Sequence, residues 1–175
     1  MIGGVAVLAI FAALWGVAAL ASIQAPSLLY GLPISISLVA VIVAKRFFDD
    51  VPTRPQIDQK RIGRLIMIWN AVEGAGVFIA VNIVLNINRP DLIMAAVCAV
   101  VGMHFIPLAR GIPQRSYYVT GLAMLALAFG GFVTPRIVSP SVIGLGAAVI
   151  LWLTIAGLFY RARGLPHVSL PTSAD

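Results

Sequence analysis

The chain has 175 residues, of which 61% are hydrophobic and 10% charged, and its mean hydropathy is +1.02. A soluble domain averages about 45–50% apolar and roughly 25% charged, so this composition excludes a globule that hides its own apolar surface in water. The single cysteine, Cys98, excludes an internal disulfide and any cysteine-based metal cluster.

The apolar residues fall into six long runs. A stretch of 18 or more with few charges is the signature of a membrane-crossing helix, because a hydrocarbon layer of about 30 Å takes about 20 residues at 1.5 Å each. The first run, about 3–22, ends in "AALAS", which resembles a signal-peptide cleavage region. No Lys or Arg precedes it and its apolar stretch exceeds a typical h-region, so it reads as a mature helix. The second, 28–45, contains Gly31-Leu32-Pro33, which predicts a kink in its outer part, with Ser35 and Ser37 bonding the freed backbone.

The third run is 64–87, the fourth 91–109, the fifth 116–134 and the sixth 140–160; residues 161–175 read as a flexible tail. Their ends carry the expected punctuation. Ser139-Pro140 is an N-cap with a first-turn proline, Asp91 puts negative charge at a positive helix N-terminus, and Gly111 with Pro113 closes the fourth helix. The expectation is an all-α, polytopic membrane protein with six transmembrane helices in one bundle.

Counting Lys and Arg in alternate loops gives the orientation. Lys45, Arg46, Arg54, Lys60, Arg61, Arg64, Arg110, Arg115, Arg161 and Arg163 lie on one side, and only Arg89 and Arg136 on the other. Both termini are therefore expected in the cytoplasm. The net charge of +6 is spread along that face and interrupted by Asp49, Asp50 and Asp58, which suits anionic lipid head groups and argues against nucleic acid.

The third run holds the only glutamate, Glu73, nine residues in from Arg64. The tight "NRP" connection at 88–90 makes the third and fourth helices antiparallel neighbours. Counted from a turn centred between Asn88 and Arg89, Glu73 and His104 stand at equal depth. An ionised carboxylate facing lipid alone costs roughly 2.5–3.5 kcal/mol on insertion scales, so a histidine at matching depth is its natural partner. The pair can exist as two ions or as two neutral groups sharing a proton; desolvation favours the second and mutual attraction the first.

Rotation about each axis adds detail. The small residues Ala95, Ala99 and Gly102 point about 160° away from His104, so the fourth helix needs neighbours on both sides. On the third helix Asn70 lies about 60° from Glu73, whereas Asn82 and Asn86 fall on the opposite face, which predicts a central place in the bundle. Asn70 shares its depth with Pro107, whose ring leaves the Met103 carbonyl without a helical donor, and the Asn70 amide is expected to fill that vacancy.

Gly130, Gly131 and Gly144 read as close-packing points, and Trp15 and Trp152 as fillers between helices. There is no Walker A loop, HExxH pair, CxxC or nucleophile elbow, and Ser35 and Ser37 lack a partner at matching depth. No catalytic residue, cofactor or metal site is expected.

"GMHFIPLAR" at 102–110 followed by "YYVTG" at 117–121 resembles a recurring pattern in small, uncharacterised multi-pass proteins of the bacterial inner membrane. The resemblance implies a bacterial plasma-membrane setting and brings no mechanism. From the residues themselves, the expected function is a small proton-linked transporter or channel-like bundle using Glu73, His104 and Asn70, with Asn82 and Asn86 as secondary polar groups. The alternative is a non-transporting scaffold or accessory subunit, whose helix faces meet a second copy or another membrane protein.

Overall fold

The computed structural model describes residues 2–48, 56–112 and 114–163, and all regular structure among them is helical. The helices are α1 (Ile2–Ser22), α2 (Gly31–Phe48), α3 (Gln56–Asn86), α4 (Ile93–Gly111), α5 (Ser116–Val133) and α6 (Pro140–Arg163). Six spans, 18 to 27 residues in length, are long and apolar enough to cross a membrane, one for each helix, the second and fourth taking in the short turn that precedes the helix. Short 3₁₀ turns, Ser27–Tyr30 and Pro90–Leu92, lead into α2 and α4.

The helix ends follow local chemistry. Asn88 takes the left-handed conformation at φ 56°, which asparagine tolerates better than most residues, and lets the chain reverse between α3 and α4. Arg89 then grips Asp91 with Nε and Nη2 at 3.0 and 2.9 Å, a forked contact on an exposed turn. Hydrogen bonding to Asp91 raises the Arg89 pKa further above its ordinary value. Pro140 opens α6 behind Ser139, whose hydroxyl reaches the Val142 N–H at 3.5 Å.

Three boundary expectations change. Pro33 falls in the first turn of α2, where no helical donor is missing, so it kinks nothing. It packs instead against α1: a Cβ added at Gly16 would lie 2.5 Å from the Pro33 Cβ, so only glycine leaves room there. Helix α3 begins eight residues before the expected 64: Gln56 to Gly63 is helical, and the apolar, membrane-length span within the helix starts at Lys60. At the other end, Arg161 to Arg163 continue α6, and residues 164–175 of the expected tail lie outside the described residues.

Helices α1, α4, α5 and α6 supply most of the core, joined by Ala44 of α2. Val5, Ala9, Ala12, Ala147, Leu151 and Ile155 are buried in one cluster with Cys98, Phe105, Met124 and Ala128, and the Cys98 thiol donates to the Met124 carbonyl at 3.4 Å. The α4/α5 seam is the tightest. A Cβ at Gly121 would sit 2.8 Å from the Gly102 carbonyl oxygen, and one at Gly102 would sit 3.0 Å from the Gly121 carbonyl. These reciprocal approaches bring two backbones together, as small residues do where apolar collapse supplies little drive.

The stripe of Ala95 and Gly102 thus faces α5 while His104 faces α3, so α4 does have neighbours on both sides. Helix α3 is not central. It packs against α4 and little else, and Phe78 on its far side is 70% exposed. Polar residues on two faces did not require two neighbours, because Asn82 bonds its own helix at the Phe78 carbonyl, 2.7 Å away.

Helix α2 lies at the other edge, on α1 and more lightly on α6. Ser37 serves that second contact: the Trp152 Nε1–H donates to Ser37 Oγ at 3.1 Å. The hydroxyl that was expected to mend a kink is an interhelical acceptor. Ser37→Ala is expected to lower stability by about 0.6 kcal/mol, the average measured for an interhelical hydrogen bond in a membrane protein, read as a shifted unfolding midpoint in mild detergent.

Candidate functional site

The α3/α4 seam brings Glu73 and His104 together. Glu73 Oε2 lies 3.6 Å from His104 Nε2, and the two side chains are only 13% and 9% exposed. That separation is within ion-pairing range and just beyond a hydrogen bond. Depth counting about the 88–90 turn therefore found a real contact, and antiparallel packing is the reason it works.

His104 has a second partner that counting did not find. Its Nδ1 lies 3.1 Å from the Trp69 carbonyl oxygen. A carbonyl can only accept, so Nδ1 carries the proton of this hydrogen bond and Nε2 is left facing the carboxylate. In a regular helix the Trp69 carbonyl already receives the Glu73 N–H, and its second lone pair takes the imidazole. Carboxylate and ring orienter thus come from one turn of α3.

Closing the 3.6 Å gap by less than about 1 Å would let the two heteroatoms share one exchangeable proton. With the proton on Glu73, a neutral acid faces a bare Nε2; with it on Nε2, a carboxylate faces an imidazolium. Both forms carry no net charge, but the second places two formal charges in the seam, so mutual attraction there works against desolvation. Adding or removing a proton would leave one charge unbalanced there.

The other expected site residues stand apart. Asn70 is exposed on the flank of α3, turned away from the seam by its angular offset from Glu73, and makes no hydrogen bond to the Met103 carbonyl. Asn82 and Asn86 are exposed on the far side of the helix. Five polar residues do not form one cluster; two of them do. Among the described residues no group of three His, Cys, Asp or Glu side chains could hold a metal ion.

A polar contact in the core was also missed. Thr120 and Thr154 hydroxyls lie 2.6 Å apart, joining α5 to α6, and each also approaches a carbonyl of its own helix, Ser116 and Ile150. Two hydroxyl protons serve three contacts, so one threonine donates across the seam and the other accepts. Depth counting about the 134–139 turn, centred on Ile137, pairs these two residues as well.

An open groove of about 450 Å³ runs beside the basic end of α3, lined by Lys60, Arg61, Arg64, Leu65, Ile68 and Trp69. A second, of about 250 Å³, lies between α2 and α6 and is lined by apolar side chains, Trp152 and Phe159 among them. Neither is lined by Glu73 or His104.

Comparison with known proteins finds no matching family model, no curated protein and no solved structure similar to this chain.

Proposed function

We propose that the chain is a multi-pass protein of the plasma membrane, inner in a bacterial setting, with both termini in the cytoplasm. We further propose that it acts as a small proton-linked transporter or channel-like bundle. The orientation is supported by the clustering of basic loops at one end. There Leu65 packs on Gly111, and a Cβ at Gly4 would touch the Tyr117 hydroxyl, so the starts of α1, α3 and α5 stand with the end of α4.

The observation that carries the transport reading is the Glu73–His104 contact inside the seam of a helix held by a single neighbour. Separation of α3 from α4 would break the shared-proton arrangement, because Trp69, which orients the ring, moves with α3. Glu73 would then be left with an acid proton to keep or release according to the water it meets. Closing the seam would return the proton to the pair. Movement of α3 and movement of a proton are thereby linked by chemistry and not only by proximity.

The test is pH-dependent flux through purified protein in liposomes under an imposed proton gradient. Glu73→Gln keeps the size and hydrogen-bonding capacity of the side chain but cannot lose a proton, and flux is expected to fall to that of protein-free liposomes. Flux that is absent in the wild type, or equal in the variant, would favour the second reading, a non-transporting scaffold. What supports the scaffold is that neither groove reaches the pair, while α3 presents a wide apolar face outward. A stoichiometric membrane partner, or a second copy, retained through purification would then be expected.

A further inference from the structure

The groove beside the first turns of α3 has no role in proton handling, and its lining divides sharply. Lys60, Arg61 and Arg64 supply three cations within five residues, and Leu65, Ile68 and Trp69 supply a continuous apolar floor toward the middle of the span. Lys60 and Arg64 are spaced i,i+4 and Arg61 and Arg64 i,i+3, so Arg64 is repelled by both of the others along the helix surface.

Nothing in the described protein offsets that repulsion. None of the three pairs with a carboxylate among the described side chains, and all three are exposed. With Asp58 counted, the segment 58–64 still has a net charge of +2. A concave surface whose rim cations pair with no described carboxylate and whose floor is apolar suits an amphipathic anion. Free phosphate or chloride would satisfy the rim and leave the floor uncovered.

We infer that this groove is a binding site for an anionic phospholipid, its phosphate held by Lys60, Arg61 and Arg64 and an acyl chain lying on Leu65, Ile68 and Trp69. The position fits. Lys60 begins the membrane-length span of α3, so the cations stand where head groups lie and Trp69, five residues and about 7.5 Å beyond Arg64 along the axis, faces the upper acyl chain. The inference rests on membrane insertion and not on proton transfer, so failure of the flux experiment leaves it standing.

Trp69 makes the site observable. The full chain is reconstituted in phosphatidylcholine bilayers containing a fixed fraction of brominated lipid, either phosphatidylglycerol or phosphatidylcholine, since bromine on an acyl chain quenches indole fluorescence on contact. The difference between wild type and Trp69→Phe isolates Trp69 from Trp15 and Trp152. Brominated phosphatidylglycerol is expected to quench Trp69 with about fivefold higher apparent affinity than brominated phosphatidylcholine, the scale of one surface cation's attraction to anionic lipid.

In the variant Lys60→Gln/Arg61→Gln/Arg64→Gln the preference is expected to vanish while quenching of Trp15 and Trp152 stays as before. Arg64→Gln alone, expected to lose part of it, serves if the triple variant does not insert. Equal quenching by the two lipids in the wild type, or a preference that survives the triple variant, would overturn the site. So would a preference abolished by millimolar inorganic phosphate but not by chloride of equal ionic strength, which would assign the rim to free phosphate.

Discussion

Replacing His104 by leucine is expected to destabilise the protein by about 3 kcal/mol, the lower end of what removing one partner of a buried ion pair costs. The limit comes from Glu73 itself. Left alone in the seam, it can take up a proton instead of keeping its charge, so the loss cannot much exceed the roughly 2.5–3.5 kcal/mol that an ionised residue costs at membrane depth. Glu73→Leu should cost less, since a neutral imidazole keeps its bond to the Trp69 carbonyl.

The double variant Glu73→Leu/His104→Leu is the decisive member of this set. With both polar groups gone, an apolar seam replaces a paired one, and most of the lost stability should return, leaving a coupling of at least about 1 kcal/mol. Denaturation in detergent or bilayer discs, followed by circular dichroism, gives all four corners of the cycle. Additive effects of the two single variants would mean that the 3.6 Å contact carries no energy. Because α3 leans on α4 and little else, the loss should be seen first as local release of α3, detectable as faster proteolysis or amide exchange between residues 56 and 86.

The second large effect is expected at Gly121. A leucine there must place its Cβ where the Gly102 carbonyl oxygen stands 2.8 Å away and the Phe105 Cβ 3.2 Å away. A backbone carbonyl cannot rotate out of the way as a side-chain end can, so the two helices must separate. Overpacking of a close seam typically costs about 1–3 kcal/mol, and Gly121→Leu should reach the top of that range because α4 and α5 form the tightest seam of the core. Gly3→Leu, at a glycine with nothing within 4 Å of an added Cβ, is the matched control and should leave the thermal midpoint within experimental error. A Gly121→Leu protein as stable as that control would show that the close approach is not obligatory.

Particular residues show why some features were legible in the sequence and others were not. Glu73 and His104 could be paired because a short turn fixes depth on both sides of it, and depth in antiparallel helices is a matter of counting. Rotation is harder. The offset of Ala95 and Gly102 from His104 correctly required two neighbours for α4, since one helix cannot touch two opposite faces. The same argument failed for α3, because Asn82 satisfies itself on the Phe78 carbonyl and asks for no neighbour. Asn70 shows the same limit: equal depth with Pro107 placed it near the Met103 carbonyl along the axis, but not around it.

The partners of His104 divide in the same way. Its carboxylate partner is a side chain of rare type and stands out in the sequence. The Trp69 carbonyl is a backbone atom, identical at every position, and no residue type advertises it. Pro33 was misjudged for a related reason: a proline signals a kink only if α-helix precedes it, and here Ser27 to Tyr30 is a 3₁₀ turn that puts Pro33 in the first turn of α2, packed on Gly16.

Composition and spacing by themselves determined the helical class, the number of membrane-length spans, the level of each polar residue along its helix and the bias of basic charge to alternate loops. Those properties depend on a helix's own rise and on transfer of its own side chains from water, which are local quantities. Tertiary structure alone decided which helices form the core, that α3 lies at its edge, that Trp69 orients His104, and that three cations and an apolar floor share one groove. These depend on the angle at which each helix faces its neighbours, and that angle follows from the packing of all six together.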